Sequence, residues 1–243
     1  MLALTLEKLN QAGAERVDTR IFLDWCSDEK LKDVEYVRDL YLPTAEIFKA
    51  NAHIKVLSGC WNILRSLQCG YETGKKFIFL VEEDIAIRPE SFFQWQWGKH
   101  NEADYFVTCG RVHGRMPDNF YSNPGTCYRR ESLAHVIPHI NDEYFRDPEK
   151  YVNKLFPGMI GMDGCLDDGL IRKIQRSLNG KVACAQPRVC SHLGWHYYDR
   201  LPEFINQGKT LPERINWLRE FLSDIPKRKL ENPRYLQDLE PLE

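Results

Sequence analysis

The stretch "KKFIFLVEEDIAIRP", residues 75–89, constrains what this chain can fold into more than any other. Its apolar run from Phe77 to Val81 has the length and composition of a strand buried on both faces. Glu82, Glu83 and Asp84 follow at once, and Ile85-Ala86-Ile87 then returns to apolar residues. Adjacent carboxylates repel one another, and removing each from water costs on the order of several kcal/mol unless a cation sits beside it. Side chains alternate along a strand, so Glu82 and Asp84 are expected to point together and Glu83 away. A hard divalent cation suits such a pair, since Mg²⁺ or Mn²⁺ takes one or two carboxylates and fills its shell with water or phosphate. A solvated acidic turn is the plainer alternative.

The segments around this stretch set the expected fold class. Leu2, Leu6 and Leu9 share a helical face closed by Gly13, "TRIFLDW" (19–25) reads as a buried strand, and "SDEKLKDVEYVRDLY" as a helix ended before Pro43. "HIKVL" (53–57) reads as a short strand and "GCWNILRSLQCGYETG" as the helix that leads into the strand at 77. Helix and strand alternate with short connections, which predicts an α/β fold with a mostly parallel central sheet flanked by helices. In such sheets ligands bind beyond the carboxyl ends of the strands, where Asp24 and the acidic triplet both fall. Further on, "ADYFVTCGRV" reads as a strand and "CYRRESLAHVI" as the start of a helix. "LDDGLIRKIQRSLNG" reads as a helix and "KVACAQPRVC" as a strand interrupted by Pro187. Residues 141–165 show no clear period. Thr210 and Glu213 form a capping box before a helix that aligns Ile215, Leu218 and Leu222. The expected division is a domain over 1–200 and a C-terminal helical extension over 201–243.

Bulk properties narrow the partners. A formal net charge of −2 gives no basic field to attract nucleic acid or an anionic membrane. No apolar stretch approaches the ~20 residues needed to span a bilayer, and the amino-terminal stretch lacks the pattern of a signal peptide. The eight cysteines form no Cys-x-x-Cys pair, so buried free thiols in a reducing, cytoplasmic setting are expected rather than a zinc site.

"FIFLVEEDIAIRPESFF" resembles the DxD-type metal motif of GT-A fold glycosyltransferases, and is especially similar to that of the inverting N-acetylglucosaminyltransferases. The resemblance implies a GT-A-like (Rossmann-like) domain that uses Mn²⁺ or Mg²⁺ and a nucleotide-sugar donor of the UDP-sugar class. It implies Asp84 as the metal ligand, with Glu82 and Glu83 beside the donor. A second similarity, "LDDGLIRKIQ" with "ACAQPRVCSHLG", implies Asp168 as catalytic base with Asp167 next to it. Helix capping by either aspartate is the structural alternative. "CSHLGWHYY" is similar to a metal-binding stretch of polypeptide N-acetylgalactosaminyltransferases, with Trp195 as an extra residue, so the ligand implied is His192 or His196. Asp24 is implied at the nucleotide base, and Asn62 and Arg65 more weakly at the nucleotide, a solvent-facing helix surface being the favoured reading for those two. "YSNPGTCYRR" corresponds to a donor-side loop, though Gly125 can equally serve a turn. The family opens with a strand before its first helix, and this sequence begins at the helix.

The expected activity is therefore sugar transfer to an acceptor hydroxyl. The near-neutral charge favours a glycan, small molecule or protein acceptor, and a modified nucleic-acid base is the alternative, through Arg111, Arg115, Arg129 and Arg130. Two rival readings are a nucleotidyltransferase, for which the usual Gly-rich basic loop is not visible, and a non-catalytic carbohydrate-binding module served by the tryptophans and tyrosines.

Overall fold

The strand beginning at Phe77 does have a core on each side. A computed structural model describes residues 1–51, 57–111, 121, 125–158, 164–192 and 210–224. Its elements in chain order open with α1 (Leu2–Gln11), β1 (Arg20–Leu23), α2 (Asp28–Tyr41), β2 (Glu46–Lys49) and α3 (Ser58–Glu72). Next come β3 (Phe77–Leu80), β4 (Ile85–Ile87), α4 (Phe92–Glu102), β5 (Tyr105–Cys109), β6 (Thr126–Arg129) and α5 (Arg130–Leu133). The remainder is α6 (Asp142–Arg146), α7 (Pro148–Leu155), α8 (Asp167–Ser177), β7 (Lys181–Cys184), β8 (Cys190–His192) and α9 (Leu211–Asp224).

Ile78 and Leu80 of β3 belong to one hydrophobic cluster, with Leu64 and Leu67 of α3, Val107 and Tyr128 of the sheet, and Leu170 and Ile174 of α8. Phe79 and Val81 belong to the other, with Leu6 of α1, Ile85 and Ile87 of β4, Phe92 of α4 and Cys190. Period-2 alternation thus sends successive residues of one strand into different cores. Ile85 and Ile87 are 0% exposed, a burial that stabilises by ~1.5–3 kcal/mol for each side chain. The Phe92-Phe93 pair that opens α4 packs against Phe79, at centroid distances of 6.2 and 4.9 Å, and fixes the strand from that side.

The fold is mixed α/β, but its pairing is less parallel than the helix–strand alternation predicts. A four-stranded sheet runs in the order β3-β6-β5-β7, and β1-β2 and β4-β8 form two-stranded ladders. β1 with β2 and β5 with β7 are parallel; β3 with β6, β5 with β6 and β4 with β8 are antiparallel. The difference comes from β6. "TCYR" reads as the approach to a helix, yet it inserts between β3 and β5, and only then does the chain turn into α5. Gly125 enters this strand at φ +60, and a Cβ there would lie 2.9 Å from the Cys190 sulfur, so its backbone serves the turn. The strand expected at 53–57 falls outside the described residues apart from Leu57. The strand that pairs with β1 is instead "EIFK" at 46–49, where alternating polar residues hide the pattern.

Two short helices, α6 and α7, occupy the aperiodic region. They are capped by Asn141 and Asp147, whose side chains accept from the amides of Tyr144 and Lys150. At the carboxyl end, the Thr210 amide donates to the Glu213 carboxylate, one half of the capping box, and the Thr210 hydroxyl donates to the same carboxylate in place of accepting the Glu213 amide. α9 rests on the amino-terminal helices: Arg219 donates to Glu7 and to the Tyr41 hydroxyl, and Ile215 joins the second core. Among the described residues no helix is long and apolar enough to cross a membrane. Cys60, Cys109, Cys127 and Cys190 are buried thiols, and burial pushes Cys60 up to about 11.

Candidate metal centre

β3 delivers Glu82 and β4 begins just after Asp84, so the acidic triplet spans the corner between two strands of different sheets. The alternation holds at this corner. Glu83 is exposed, its carbonyl taking the Thr5 hydroxyl at 2.7 Å, while Glu82 is half-buried and Asp84 only 7% exposed. Antiparallel pairing of β4 with β8 sets Ile85 opposite His192, which carries the imidazole to the acidic corner. His192 Nε2 lies 3.4 Å from Asp84 Oδ2 and 4.0 Å from Glu82 Oε2. One ligand atom from each of the three residues falls within 4.8 Å of the other two. Donors ~2.0–2.2 Å from one cation stand about 3–4 Å from each other, so the set fits a single ion. Asp84 Oδ1 is buried without a hydrogen-bond partner among the described residues, which leaves a lone-pair donor available.

The electrostatics point the same way. Burial pushes Glu82 up to about 8, with Asp84 and then Asp168 repelling its charge. Burial also raises Asp84, against the opposing pull of a hydrogen bond from its own backbone amide, then of the chain's amino terminus and Arg111. Such groups resist ionisation until a further positive charge joins them.

Asp167 and Asp168 begin α8, more than eighty residues away in sequence, and the fold sets them near enough for both to act on Glu82. Neither aspartate is the helix cap. Leu166 holds that position without a side-chain bond, and the two acids occupy the first turn, where the helix dipole favours negative charge. Asp167 interacts with the Cys60 thiol, and that thiol lies 3.3 Å from the Tyr144 hydroxyl. Asp168 Oδ1 has no hydrogen-bond partner among the described residues. Burial and the Asp167 charge push Asp168 up to about 7, offset in part by Arg172. That arginine escaped the sequence reading, although its i,i+4 spacing from Asp168 on a helix was the available signal.

Other expected residues fare differently. Asp24 lines a cavity of about 1190 Å³ that also reaches Glu82, Glu83 and Asp84, and its carboxylate accepts from the Trp25 amide. Asn62 lines the same cavity but donates to the Phe22 carbonyl at 3.0 Å, a structural bond. Arg65 is not brought to the site. It bonds Gln68 on the exposed face of α3 and lies over Trp61, as a solvent-facing helix residue does. His196 and Arg115 lie outside the described residues. Of the four arginines of the alternative nucleic-acid patch, the three among the described residues are held within the fold: Arg111 is buried, Arg129 bonds Asp104 and the His100 and Ala103 carbonyls, and Arg130 bonds the Tyr71 carbonyl.

No protein-family model matches this chain, and no curated protein matches it.

Proposed function

We propose that the protein is a metal-dependent glycosyltransferase of GT-A-like fold, taking its sugar from a nucleotide-sugar donor. The observation that carries the reading is the convergence of Glu82, Asp84 and His192 beside the Asp167-Asp168 pair, with Glu82 and Asp84 also lining the cavity that Asp24 reaches. Glu82, Asp84 and His192 would hold the cation, and the unpartnered Asp84 Oδ1 fits that role. A bound Mn²⁺ or Mg²⁺ supplies positive charge that stabilises a departing diphosphate. Asp168 accepts the proton of the acceptor hydroxyl. Its carboxyl, raised to about 7, is poised near neutrality, and a positioned base of this kind contributes ~10²–10⁴-fold. The start of α8 holds it rigidly, as a base requires.

The test uses purified protein, Mn²⁺ and a panel of nucleotide sugars. Thermal shift reads donor binding, and mass spectrometry of released nucleotide reads hydrolysis or transfer. Asp168→Asn should keep the metal-dependent thermal shift and lose turnover by at least ~100-fold. Undiminished turnover by that variant would remove the assigned base. A panel without any metal-dependent shift would remove the glycosyltransferase reading.

A further inference from the structure

α8 starts without a side-chain cap, since Leu166 holds that position and is 43% exposed. The chain around its start is held from the core side instead. The Lys173 ammonium, 1% exposed, donates to the Gly164 carbonyl at 2.5 Å. The Tyr144 hydroxyl donates to the Cys165 carbonyl at 3.0 Å. The Cys60 thiol bonds the Asp167 carboxylate. Side chains from α8, α6 and α3 thus secure Gly164, Cys165 and Asp167, the segment that leads into Asp168.

The available protons set the direction of these bonds. A carbonyl only accepts, so the single Tyr144 O–H is committed to Cys165. Cys60 Sγ lies 3.3 Å from the same hydroxyl oxygen, which leaves its S–H two acceptors, that oxygen and the Asp167 carboxylate. Both Cys60 and Tyr144 are buried, so water does not compete. A bond to an ionised acceptor is roughly twice as strong as one to a neutral acceptor, which turns the thiol toward Asp167. The amides of Asp167 and Asp168, first-turn donors without a partner inside the helix, meet that carboxylate as well. Asp167 is therefore tied to α3 and to its own helix, while Asp168 Oδ1 has no hydrogen-bond partner among the described residues. A stable helix start alone would need only a serine or aspartate at position 166. Apolar residues in place of the buried thiol, hydroxyl and carboxylate would leave no polar group to satisfy.

We propose that Cys60 and Tyr144 are positioning residues for the transfer reaction: they hold the Asp167 carboxylate, and through it the first turn of α8, so that Asp168 meets the acceptor hydroxyl in a fixed orientation. Asp167 is then an anchor and not a second base. The kinetic consequence rests on the glycosyltransferase reading; the thiol–carboxylate bond rests on the core contacts alone. A displacement of about 1 Å at a reacting group can lower its rate ~100-fold, so loss of the anchor is visible in turnover.

The test has two independent readouts. Infrared spectroscopy reads the S–H stretch of Cys60, assigned as the band that disappears in Cys60→Ser. In Asp167→Asn it should move to higher frequency, because the thiol loses its charged acceptor. A band that stays in place would overturn the anchor. Turnover is then measured with Mn²⁺ and the active donor. Cys60→Ala and Tyr144→Phe should each lower kcat about tenfold or more, with the KM for donor and the Mn²⁺-dependent thermal shift retained. Cys60→Ser keeps a donor and should recover most of the loss. Unchanged kcat in Cys60→Ala and Tyr144→Phe, or equal losses in Cys60→Ala and Cys60→Ser, would overturn the positioning role. A wild-type protein that turns over no donor would remove the glycosyltransferase reading instead. The infrared shift, with faster amide exchange at Asp167 and Asp168 in Cys60→Ala, would still identify the anchor.

Discussion

Asp84 and His192 depend on each other. With Oδ1 unpartnered among the described residues and Oδ2 3.4 Å from the imidazole, Asp84 keeps one buried oxygen to offer a cation. Asp84→Ala should therefore abolish the Mn²⁺-dependent thermal shift. His192→Ala should weaken Mn²⁺ affinity at least about tenfold, the loss that even an outer-shell partner can bring, as read by calorimetric titration. The pH dependence has a definite sign. Glu82 and Asp168 have folded-state values of about 8 and about 7, above those of an unfolded chain, so the folded state holds the extra protons. Their contribution is complete below about pH 4 and is lost as pH rises through 7 and 8. Without metal, the melting temperature of the wild-type chain should fall over that window more steeply than that of Asp168→Asn or Glu82→Gln. Added Mn²⁺ should raise it more at pH 8 than at pH 5. A melting curve with equal pH slopes in all three proteins would contradict the acidic cluster.

Among the elements, α8 and α9 show how local signals and packing divide the work. α9 starts where the Thr210–Glu213 box predicts, and Thr210→Ala should cost ~1 kcal/mol in urea unfolding. α8 has no such cap, and its place rests on Leu170, Ile171 and Ile174 in the first core. Leu170→Ala should cost ~2–5 kcal/mol by the same measurement, and because α8 carries Asp168 it should also lower turnover. β3, α2, α3, α8 and β7 were legible in the residues, because apolar periodicity and length agreed. β2 and β6 were not. "EIFK" alternates too briefly to register, and "TCYR" leads straight into a helical stretch, so pairing with β1, β3 and β5 decides its state.

At the scale of the whole molecule, the candidate centre is a product of topology. Glu82 and Asp84 are neighbours in the chain, and strand alternation alone puts them on one side. His192 reaches them only because β8 returns antiparallel to β4, and Asp168 only because α8 packs against α3 and the sheet. If the sites act as one unit, Mn²⁺ should protect amides at the start of α8 as well as those at 82–84 in hydrogen exchange, and protection confined to 82–84 would separate them. The sequence by itself determined the buried strand, the pairing of the two acids on one face and the mixed α/β class, because those follow from side-chain period and desolvation within a few residues. Only the tertiary structure decided that His192 meets the acids and that Arg65 stands apart. Those are contacts between distant segments, and no local period encodes them.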